Sequence, residues 1–387
     1  MTSTKALALF FLSIFLFQNS VFSQVSISGR VTDKDNGEAI AMANIFIAYS
    51  TIGTTSDNEG NFELKNVPEG DYELVISHIA YKNTVREVRV NQDRSSLDIQ
   101  LSPFKRVLEE ITILEKKDKA WKRNFKKFQG AFLGATKNAR SCEIVNPWVI
   151  DFEKDEKGTF RASASELIQI RNNALGYKIT FFLQSFTMKR GVVQYSGKPK
   201  FEILIADSDK QKKSWKKNRI KTYNGSQRHF FTSLVTNSLN EDGFEIYMAK
   251  LNSKRSGFEV TTVARPSNIF FPNRDGSTYS FHVNEFLKII YTKEKEENNY
   301  ISQLDVPDNN SIIPVISKQQ TIGRDRGEKE PIDHRSSNFQ TSYMFLRKKT
   351  MQLYSNGLPA NPEYIQEYGY WAWERVAELM PFDYVVE

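Results

Sequence analysis

The chain reads GDYELVIS from Gly70 to Ser77, and this stretch decides the fold of its N-terminal part. At Leu74-Val75-Ile76 the strict alternation of apolar and polar residues is lost, which is typical of a strand covered on both faces. Short runs rich in Val, Ile, Phe and Tyr recur around it about every ten residues, between turn residues. This spacing predicts an antiparallel β-sandwich with strands at 25–31, 43–48, 61–64, 71–78, 84–90 and 96–101.

The same region is similar to a known family in its local phrases. These phrases are ISGRVTD at 27–33, GTTSDNEGNF at 53–62, GDYELVIS at 70–77 and HIAY at 78–81. The region resembles the carboxypeptidase regulatory-like domain, a transthyretin-like sandwich common at the front of exported Bacteroidetes proteins. The resemblance implies a seven-stranded type of sandwich over residues 24–104 and an exported protein, and it implies no activity.

Residues 1–23 have the layout of a secretory signal peptide. Lys5 precedes an apolar run at 6–17 that is interrupted only by Ser13, and the small residue Ser23 stands just before Gln24. The run is shorter than the roughly 20 residues of a membrane-spanning helix, so we expect cleavage rather than anchoring. No Cys lies near the cut, which argues against a lipid-anchored N-terminus. We therefore expect an exported protein that is periplasmic or associated with the outer membrane.

Composition limits the chemistry and the partners. Cys142 is the single cysteine in 387 residues, so the chain forms no internal disulfide, and its neighbours Ala139, Ile144 and Val145 predict a core position for it. The formal net charge is +7, and removal of Lys5 with the signal leaves +6. Two stretches, 116–127 and 210–221, are strongly basic. Because we expect export, we do not expect nucleic acid as a partner of these two stretches. We expect them to form solvated faces, and peripheral contact with an anionic membrane is the alternative.

Two patterns suggest a metal, and we interpret neither as a metal site. The oxygen-rich stretches 33–38 and 57–60 each contain a glycine, Gly37 or Gly60, and lack the spacing of a calcium loop, so we predict turns. His282 and Glu285 match the H-x-x-E zinc pattern, but their setting is typical of extended sheet, and the one later histidine, His334, falls in a polar stretch. A zinc site needs several ligands in fixed geometry. We predict no metal and no cofactor.

Motifs of nucleophilic and nucleotide chemistry are absent from the sequence, which has no G-x-S-x-G, no G-x-G-x-x-G, no P-loop and no C-x-x-C. We therefore predict no catalytic residue. Asp151 and Glu153 form a carboxylate pair of the kind that serves glycoside hydrolysis, but alternating acids on an exposed strand are the simpler interpretation. A hydrolase acting on glycan or peptide, with its site in residues 130–387 near His229, His282 or paired carboxylates, is the alternative function.

The remainder of the chain is predicted as a charged linker with an amphipathic helix at 105–129 and a larger antiparallel β-rich α+β domain at 130–387. Trp121, Phe125, Phe128 and Phe132 fall on one helical face, which we expect to pack on the protein itself. Further helices are predicted after Ser226 and at 371–379. Strands are predicted at 148–153, 159–163, 167–170, 177–186, 192–195, 244–249, 278–281 and 286–291.

Several phrases of this second part resemble a recurring, uncharacterised region that accompanies the regulatory-like domain in other exported Bacteroidetes proteins. They are FLGAT at 132–136, NP at 146–147, ASASEL at 162–167, LGY at 175–177, YNGS at 223–226 and YWAWERVA at 370–377. The resemblance implies one co-inherited architecture and brings no known activity.

Together these features favour an exported, non-enzymatic binding or scaffold protein of the cell envelope. Envelope proteins and glycans are the partners that we consider, and the oligomeric state is left open. Tyr368, Tyr370, Trp371 and Trp373 would stack on a sugar if exposed, although core packing is the simpler expectation. Besides the hydrolase, a second alternative to the binding protein is a small outer-membrane-associated barrel related to TonB-dependent receptor systems.

The predicted leader is tested directly by N-terminal analysis of the protein made from its full gene. We expect the protein in the envelope fraction with Gln24 as its first residue, because signal peptidase cuts after a small residue. Leu12→Arg places a charge in the apolar run and should leave an uncleaved precursor. Recovery of the unaltered protein in the cytosol with Met1 retained would refute export.

Overall fold

Each part of the fold is built on its own hydrophobic core. The computed structural model describes residues 24–90, 95–104, 118–189, 192–252, 257–274, 278–305 and 339–386. The predicted signal segment 1–23, the linker residues 105–117 and His334 lie outside the described residues. Within these described ranges no helix is both long enough and apolar enough to cross a membrane.

Seven strands form the N-terminal unit, called the sandwich below: β1 (Gln24–Asp33), β2 (Asn44–Ile47), β3 (Gly53–Thr55), β4 (Asn61–Pro68), β5 (Gly70–Ser77), β6 (Thr84–Val90) and β7 (Ser95–Leu101). The sheet β4-β1-β7 faces the sheet β3-β2-β5-β6, and β1 runs parallel to β7. The mainly β class and the N-terminal sandwich are thus confirmed. β3 is missing from the sequence-based prediction, because its three residues include no large apolar side chain.

The two oxygen-rich stretches are turns, as the glycines predict. Gly37 has φ +76° and Gly60 has φ +79°, a region that L-residues rarely adopt. The carboxylate of Asp33 accepts hydrogen bonds from the backbone N–H of Asp35 and Asn36. The Asp57 carboxylate accepts from Asn61 at 2.7 Å. These carboxylates therefore stabilise the turns themselves.

The second unit is a six-stranded sheet covered by one helix. Its strands are β8 (Cys142–Ile144), β9 (Ile150–Lys154), β10 (Phe160–Ala164), β11 (Ile168–Asn172), β12 (Tyr177–Lys189) and β13 (Val192–Ile203). Helix α1 (Lys119–Leu133) buries Phe128 and Phe132 against Phe186 and Phe181 of β12. The aromatic face of this helix therefore packs on its own domain, as predicted, and Cys142 is buried in the same core.

The third unit contains a five-stranded and a three-stranded sheet, ordered β15-β14-β18-β19-β21 and β16-β17-β20. Its strands are β14 (Phe244–Leu251), β15 (Phe258–Val263), β16 (Phe270–Pro272), β17 (Thr278–His282), β18 (Phe286–Lys295), β19 (Phe339–Leu346), β20 (Thr350–Tyr354) and β21 (Ile365–Gly369). The helices are α2 (Asp209–Tyr223), α3 (Gln227–Val235), α4 (Leu239–Asp242), α5 (Pro266–Ile269), α6 (Asn298–Asp305) and α7 (Tyr370–Trp373).

The helices test two local predictions. Ser226 caps α3 by accepting from the N–H of His229, as predicted from the sequence. The helix predicted at 371–379 is wrong beyond Trp373, because Glu374 is extended and only a 3₁₀ turn, Val376–Glu378, follows. The long helix α2 is not predicted, since its residues are nearly all polar and show no helical apolar period.

After α7 the chain crosses to the sandwich in a segment, residues 380–384, that we call the strap. Arg228 of α3 holds the strap by donating to the carbonyl oxygens of Pro381, Phe382 and Tyr384 at 2.5, 2.5 and 2.8 Å. The N–H of Phe382 in turn donates to the carbonyl of Tyr49 in the sandwich at 2.7 Å. One guanidinium therefore connects the third unit to the first through the strap.

Arg228→Lys tests this connection. Lysine keeps the positive charge but carries all its donors on one nitrogen, so it cannot reach the three strap carbonyls at once. Some of these carbonyl oxygens then lose their hydrogen-bond donor. We expect the free energy of unfolding in urea to fall by about 2 kcal/mol. Arg123→Lys on the exposed face of α1 is the matched control and should change stability by less than about 0.5 kcal/mol. Equal effects of the two variants would contradict the role of Arg228.

Candidate functional site

One opening in the described structure lies between the sandwich and the second unit. It is a cleft of about 430 Å³, within the size range of small-molecule sites. The end of β5 and the loop that follows it form one wall, together with Asn44 and Phe104. The other wall comes from Asn146, from residues 164–169 and from Phe182 of β12.

Leu167 and Phe182 line the floor of the cleft, and they belong to the apolar contact between the two units. Phe46 and Val75 of the sandwich are buried against Leu167, and Phe182 packs at the edge of this cluster. These side chains come from strands that lie far apart in sequence. The floor exists only when both units are folded and docked.

An ion pair fixes the docking next to this floor. Lys198 of β13 donates to the Glu73 carboxylate at 2.6 Å, and the Lys198 side chain is only 7% exposed. The Tyr49 hydroxyl donates to the carbonyl of Gly197 at 3.0 Å, and the N–H of Tyr49 donates to the carbonyl of Pro199. β13 is thus tied to the sandwich by both backbone and side-chain contacts.

Polar groups that line the cleft fall into two classes. Some are fully used in positioning the wall: Asn146 donates to the Leu167 carbonyl at 3.0 Å and accepts from the N–H of Gln169 at 2.7 Å. Others make no hydrogen bond to any described part of the chain; these are the side chains of Asn44, Lys82, Asn83 and Glu166. The second class is available to a ligand.

Aromatic groups form the lip of the cleft. Phe104 is 52% exposed, and its backbone N–H donates to the Ala80 carbonyl at 2.8 Å. The His78 ring lies 5.2 Å from the Tyr81 ring, and its Nδ1 accepts from the N–H of Ala80. Burial lowers the pKa of His78 and so favours its neutral form. Because Nδ1 accepts a hydrogen bond, the neutral ring has its proton on Nε2.

The histidines that the sequence offered as candidates do not meet. His229 is buried among Tyr223, Phe244 and Tyr291, and burial lowers its pKa to about 4. His282 ends β17 and contacts Thr350 at 2.8 Å. No group of three His, Cys, Asp or Glu side chains with metal-site geometry occurs in the described ranges.

The other candidates also lie apart from the cleft. Asp151 and Glu153 are exposed on β9, where Glu153 pairs with Arg161 at 3.5 Å. Tyr370, Trp371 and Trp373 are at most 4% exposed. The expectation of core packing is confirmed for these three aromatics, whereas Tyr368 is only partly buried. Burial raises the pKa of the Cys142 thiol to about 12, so it is no nucleophile at neutral pH.

Three carboxylates gather where the chain leaves β21. Glu367 accepts from the Gln227 amide at 2.5 Å, and burial raises its pKa to about 7. Glu378 accepts from Thr136, from Asn138 and from Thr222, and burial also raises its pKa. The pKa of Glu374 is well above its usual range for the same reason, with Glu378 adding to the effect. The hydrogen bonds of Glu367 and Glu378 join helices α3 and α2 to the C-terminal segment, which is a structural role.

The sequence analysis missed the cleft as a site but contained a signal for it. Three of the phrases that resemble known regions line it: HIAY at 78–81, NP at 146–147 and ASASEL at 162–167. These phrases are distant in sequence and meet only after folding. Asn44, Lys82 and Phe104 carry no comparable signal.

Comparison with known proteins identifies the first unit. Residues 27–113 match the family model described as the CarboxypepD_reg-like domain. Structural protein 27 of a virus (isolate Australia/Victoria) is 27% identical over 86 residues, which are 22% of this chain and 16% of that protein. TonB-dependent receptor SusC of Bacteroides thetaiotaomicron is 28% identical over 110 residues, which are 28% of this chain and 10% of the receptor. The chain thus spans less than a fifth of the length of these curated relatives.

Among solved structures, a chain of a type II cohesin–X-dockerin complex from Acetivibrio cellulolyticus is similar at 23% identity. The match covers 20% of this chain and 58% of that chain, with a TM-score of 0.17. A likeness of this size describes a local similarity and transfers no function.

The raised pKa of Glu367 gives a testable pH dependence. The Glu367 carboxyl loses its proton near pH 4.5 in the unfolded chain but only near pH 7 in the folded protein. The free energy of unfolding therefore falls as the pH rises from about 4.5 to about 7, and it stays lower above pH 7. Glu367→Gln removes this titration. Between pH 5 and pH 8 we expect the free energy of unfolding of the unaltered protein to fall by about 2 kcal/mol more than that of Glu367→Gln.

Urea unfolding at the two pH values measures this difference. Glu143→Gln, which changes an exposed carboxylate, is the control and should follow the unaltered protein. An identical pH dependence of Glu367→Gln and the unaltered protein would refute the assignment.

Proposed function

We propose that this chain, whose first unit is a carboxypeptidase regulatory-like domain, is an exported binding protein of the bacterial cell envelope. It performs no catalysis, and it binds a neutral oligosaccharide in the cleft between the sandwich and the second unit. The observation that carries the proposal is the lining of that cleft, where uncommitted polar side chains surround an apolar floor.

The polar lining suits hydroxyl groups. Amide side chains both donate and accept hydrogen bonds, as sugar hydroxyls do, and Asn44 and Asn83 make none to the described chain. The Nε2–H of neutral His78 adds a donor. Lys82 and Glu166 contribute one charge of each sign, so the lining has no net charge and favours a neutral ligand.

The apolar lining suits the C–H faces of a sugar ring. Phe104 stands half-exposed at the lip, and Phe182 lies partly buried at the floor. Rigid aromatic side chains provide contact area at low entropic cost, which is why binding sites use them. Because the walls are held by Asn146 and by the Lys198–Glu73 pair, the cleft is formed before a ligand arrives.

A hydrolase on glycan or peptide has less support. General acid–base or metal catalysis requires its groups within a few ångströms of the reacting atoms. His229 lies in the core of the third unit and His282 at a strand end, while Asp151 and Glu153 face solvent on β9. The cleft itself contains one carboxylate, Glu166, without a second one opposite it among the described residues.

The envelope location is supported by the sequence and by one relative. Residues 1–23 have the layout of a signal peptide. The similarity to SusC, a TonB-dependent receptor, is limited to 110 residues. Both features agree with export, in either the periplasm or an outer-membrane-associated position.

Binding of neutral oligosaccharides tests the proposal. The full mature chain is screened by calorimetry against short malto-, cello-, xylo- and manno-oligosaccharides, and we expect at least one to bind. Phe104→Ala should weaken binding of that ligand about fivefold, because an aromatic contact contributes about 1 kcal/mol. Asn83→Ala should weaken it as well, through loss of hydrogen bonds.

Phe271→Ala is the matched control, because Phe271 is 44% exposed on β16, outside the cleft. It should bind the oligosaccharide like the unaltered protein. Failure of all four sugar classes to bind, or equal losses for Phe104→Ala and Phe271→Ala, would refute a glycan site in the cleft.

A further inference from the structure

The second of the two strongly basic stretches forms helix α2. Residues 207–221 carry seven cationic and two anionic side chains, a net +5, whereas the whole chain has a net charge of +7. Six of the cations are lysines of α2, and all six are exposed. A field of one sign on a single surface attracts anionic partners over about a Debye length.

The helix presents these lysines from a rigid position. Trp215 is buried and donates through Nε1 to the Asn173 carbonyl at 2.8 Å. Asn218 donates to the Ala174 carbonyl at 2.8 Å, and Arg219 donates to those of Leu175 and Gly176. One face of α2 is therefore fixed on the turn between β11 and β12.

The opposite face of α2 is free to meet a partner. Lys210, Lys213 and Lys217 lie about 140–160° around the helix axis from Trp215. Neither these three nor Lys212 form an ion pair with any described carboxylate. Lys221, by contrast, pairs with Glu297 at 2.9 Å. Lys210, Lys213 and Lys217 thus form one stripe on the solvent side.

Aliphatic side chains stand exposed directly before the helix. Ile203 is 64% exposed and Ile205 is 93% exposed, the largest value for a large hydrophobic side chain in the described part of the chain. Only Ala206, Asp207 and Ser208 separate Ile205 from α2. Exposed apolar groups beside a lysine stripe are the combination used at membrane interfaces.

We propose that α2, together with Ile203 and Ile205, is a membrane-contact surface that docks the protein on an anionic lipid bilayer. The lysines pair with lipid phosphates, and the isoleucines enter the boundary between headgroups and acyl chains. The isoleucines favour a bilayer over a soluble polyanion, because a polyanion offers no apolar phase for them. This surface is separate from the cleft and acts independently of its ligand.

Vesicle binding of the full mature chain tests the proposal. Co-sedimentation compares vesicles of phosphatidylcholine with vesicles that also contain phosphatidylglycerol, at low and at high salt. We expect binding only to the anionic vesicles, weakened by salt. The triple variant Lys210→Gln, Lys213→Gln, Lys217→Gln should lose about a hundredfold in affinity, at about fivefold for each lysine.

Two further variants separate docking from bulk charge. Lys119→Gln, Lys122→Gln, Lys126→Gln removes the same charge from the exposed side of α1, and this control should lose less than about fivefold. Ile205→Ser should lose about tenfold while the salt dependence stays the same, because it removes apolar insertion alone. Phe104→Ala in the cleft should bind vesicles normally.

Three results would overturn the proposal. One is equal loss for the α1 and α2 triple variants, which would reflect net charge only. Another is unchanged vesicle binding by Ile205→Ser. The third is binding of soluble polyphosphate as tight as that of vesicles and unaffected by Ile205→Ser, which would assign the surface to a soluble polyanion.

Discussion

The guanidinium of Arg228 is the contact on which the arrangement of the molecule depends. It satisfies three carbonyls of the strap, and the strap then reaches the sandwich through Phe382, whose ring stacks on Tyr72 at 5.5 Å. Asp383 accepts from the N–H of Thr51 at 3.1 Å. A planar group with several fixed donors suits this task, because it holds a bent backbone at several points at once. The strap thereby connects the third unit to the sandwich, which also contacts the second unit directly along one wall of the cleft.

The interface between the sandwich and the second unit combines an apolar cluster with one buried ion pair. Burial of Phe46, Val75 and Leu167 supplies a non-directional attraction. The Lys198–Glu73 pair contributes little net stability after desolvation, but an unpaired charge there would be costly. The pair therefore selects one docking position among those that the apolar surfaces would allow. A preformed cleft requires this selection, since its two walls belong to different units.

The two proposed binding surfaces use different physics, and the fold places them separately. The cleft binds by shape and directed hydrogen bonds at short range, which demands walls fixed by Asn146 and its neighbours. The α2 surface would act through long-range electrostatic attraction, so the exact positions of its side chains matter less than those of the cleft walls. It still needs a firm base, which Trp215 and Arg219 provide by holding the turn before β12. An envelope protein that binds a ligand while resting on a membrane would use both.

Elements with a strong local signal are predictable from the amino-acid sequence alone. Alternating or continuous apolar runs predicted most strands of the sandwich, and the aromatic stripe from Trp121 to Phe132 predicted α1 and its buried face. Gly37, Gly60 and Ser226 predicted turns and a helix start, because these residues act on their own backbone. Other features depend on contacts between distant parts of the chain. α2 is stabilised by contacts to a turn far away in sequence. The helix that the sequence predicts at 371–379 ends at Trp373, and Glu378 further along forms hydrogen bonds with Thr136 and Thr222. The cleft joins Asn44 to Phe182, and no local pattern encodes such a meeting, because its free energy comes from packing between units that are far apart in sequence.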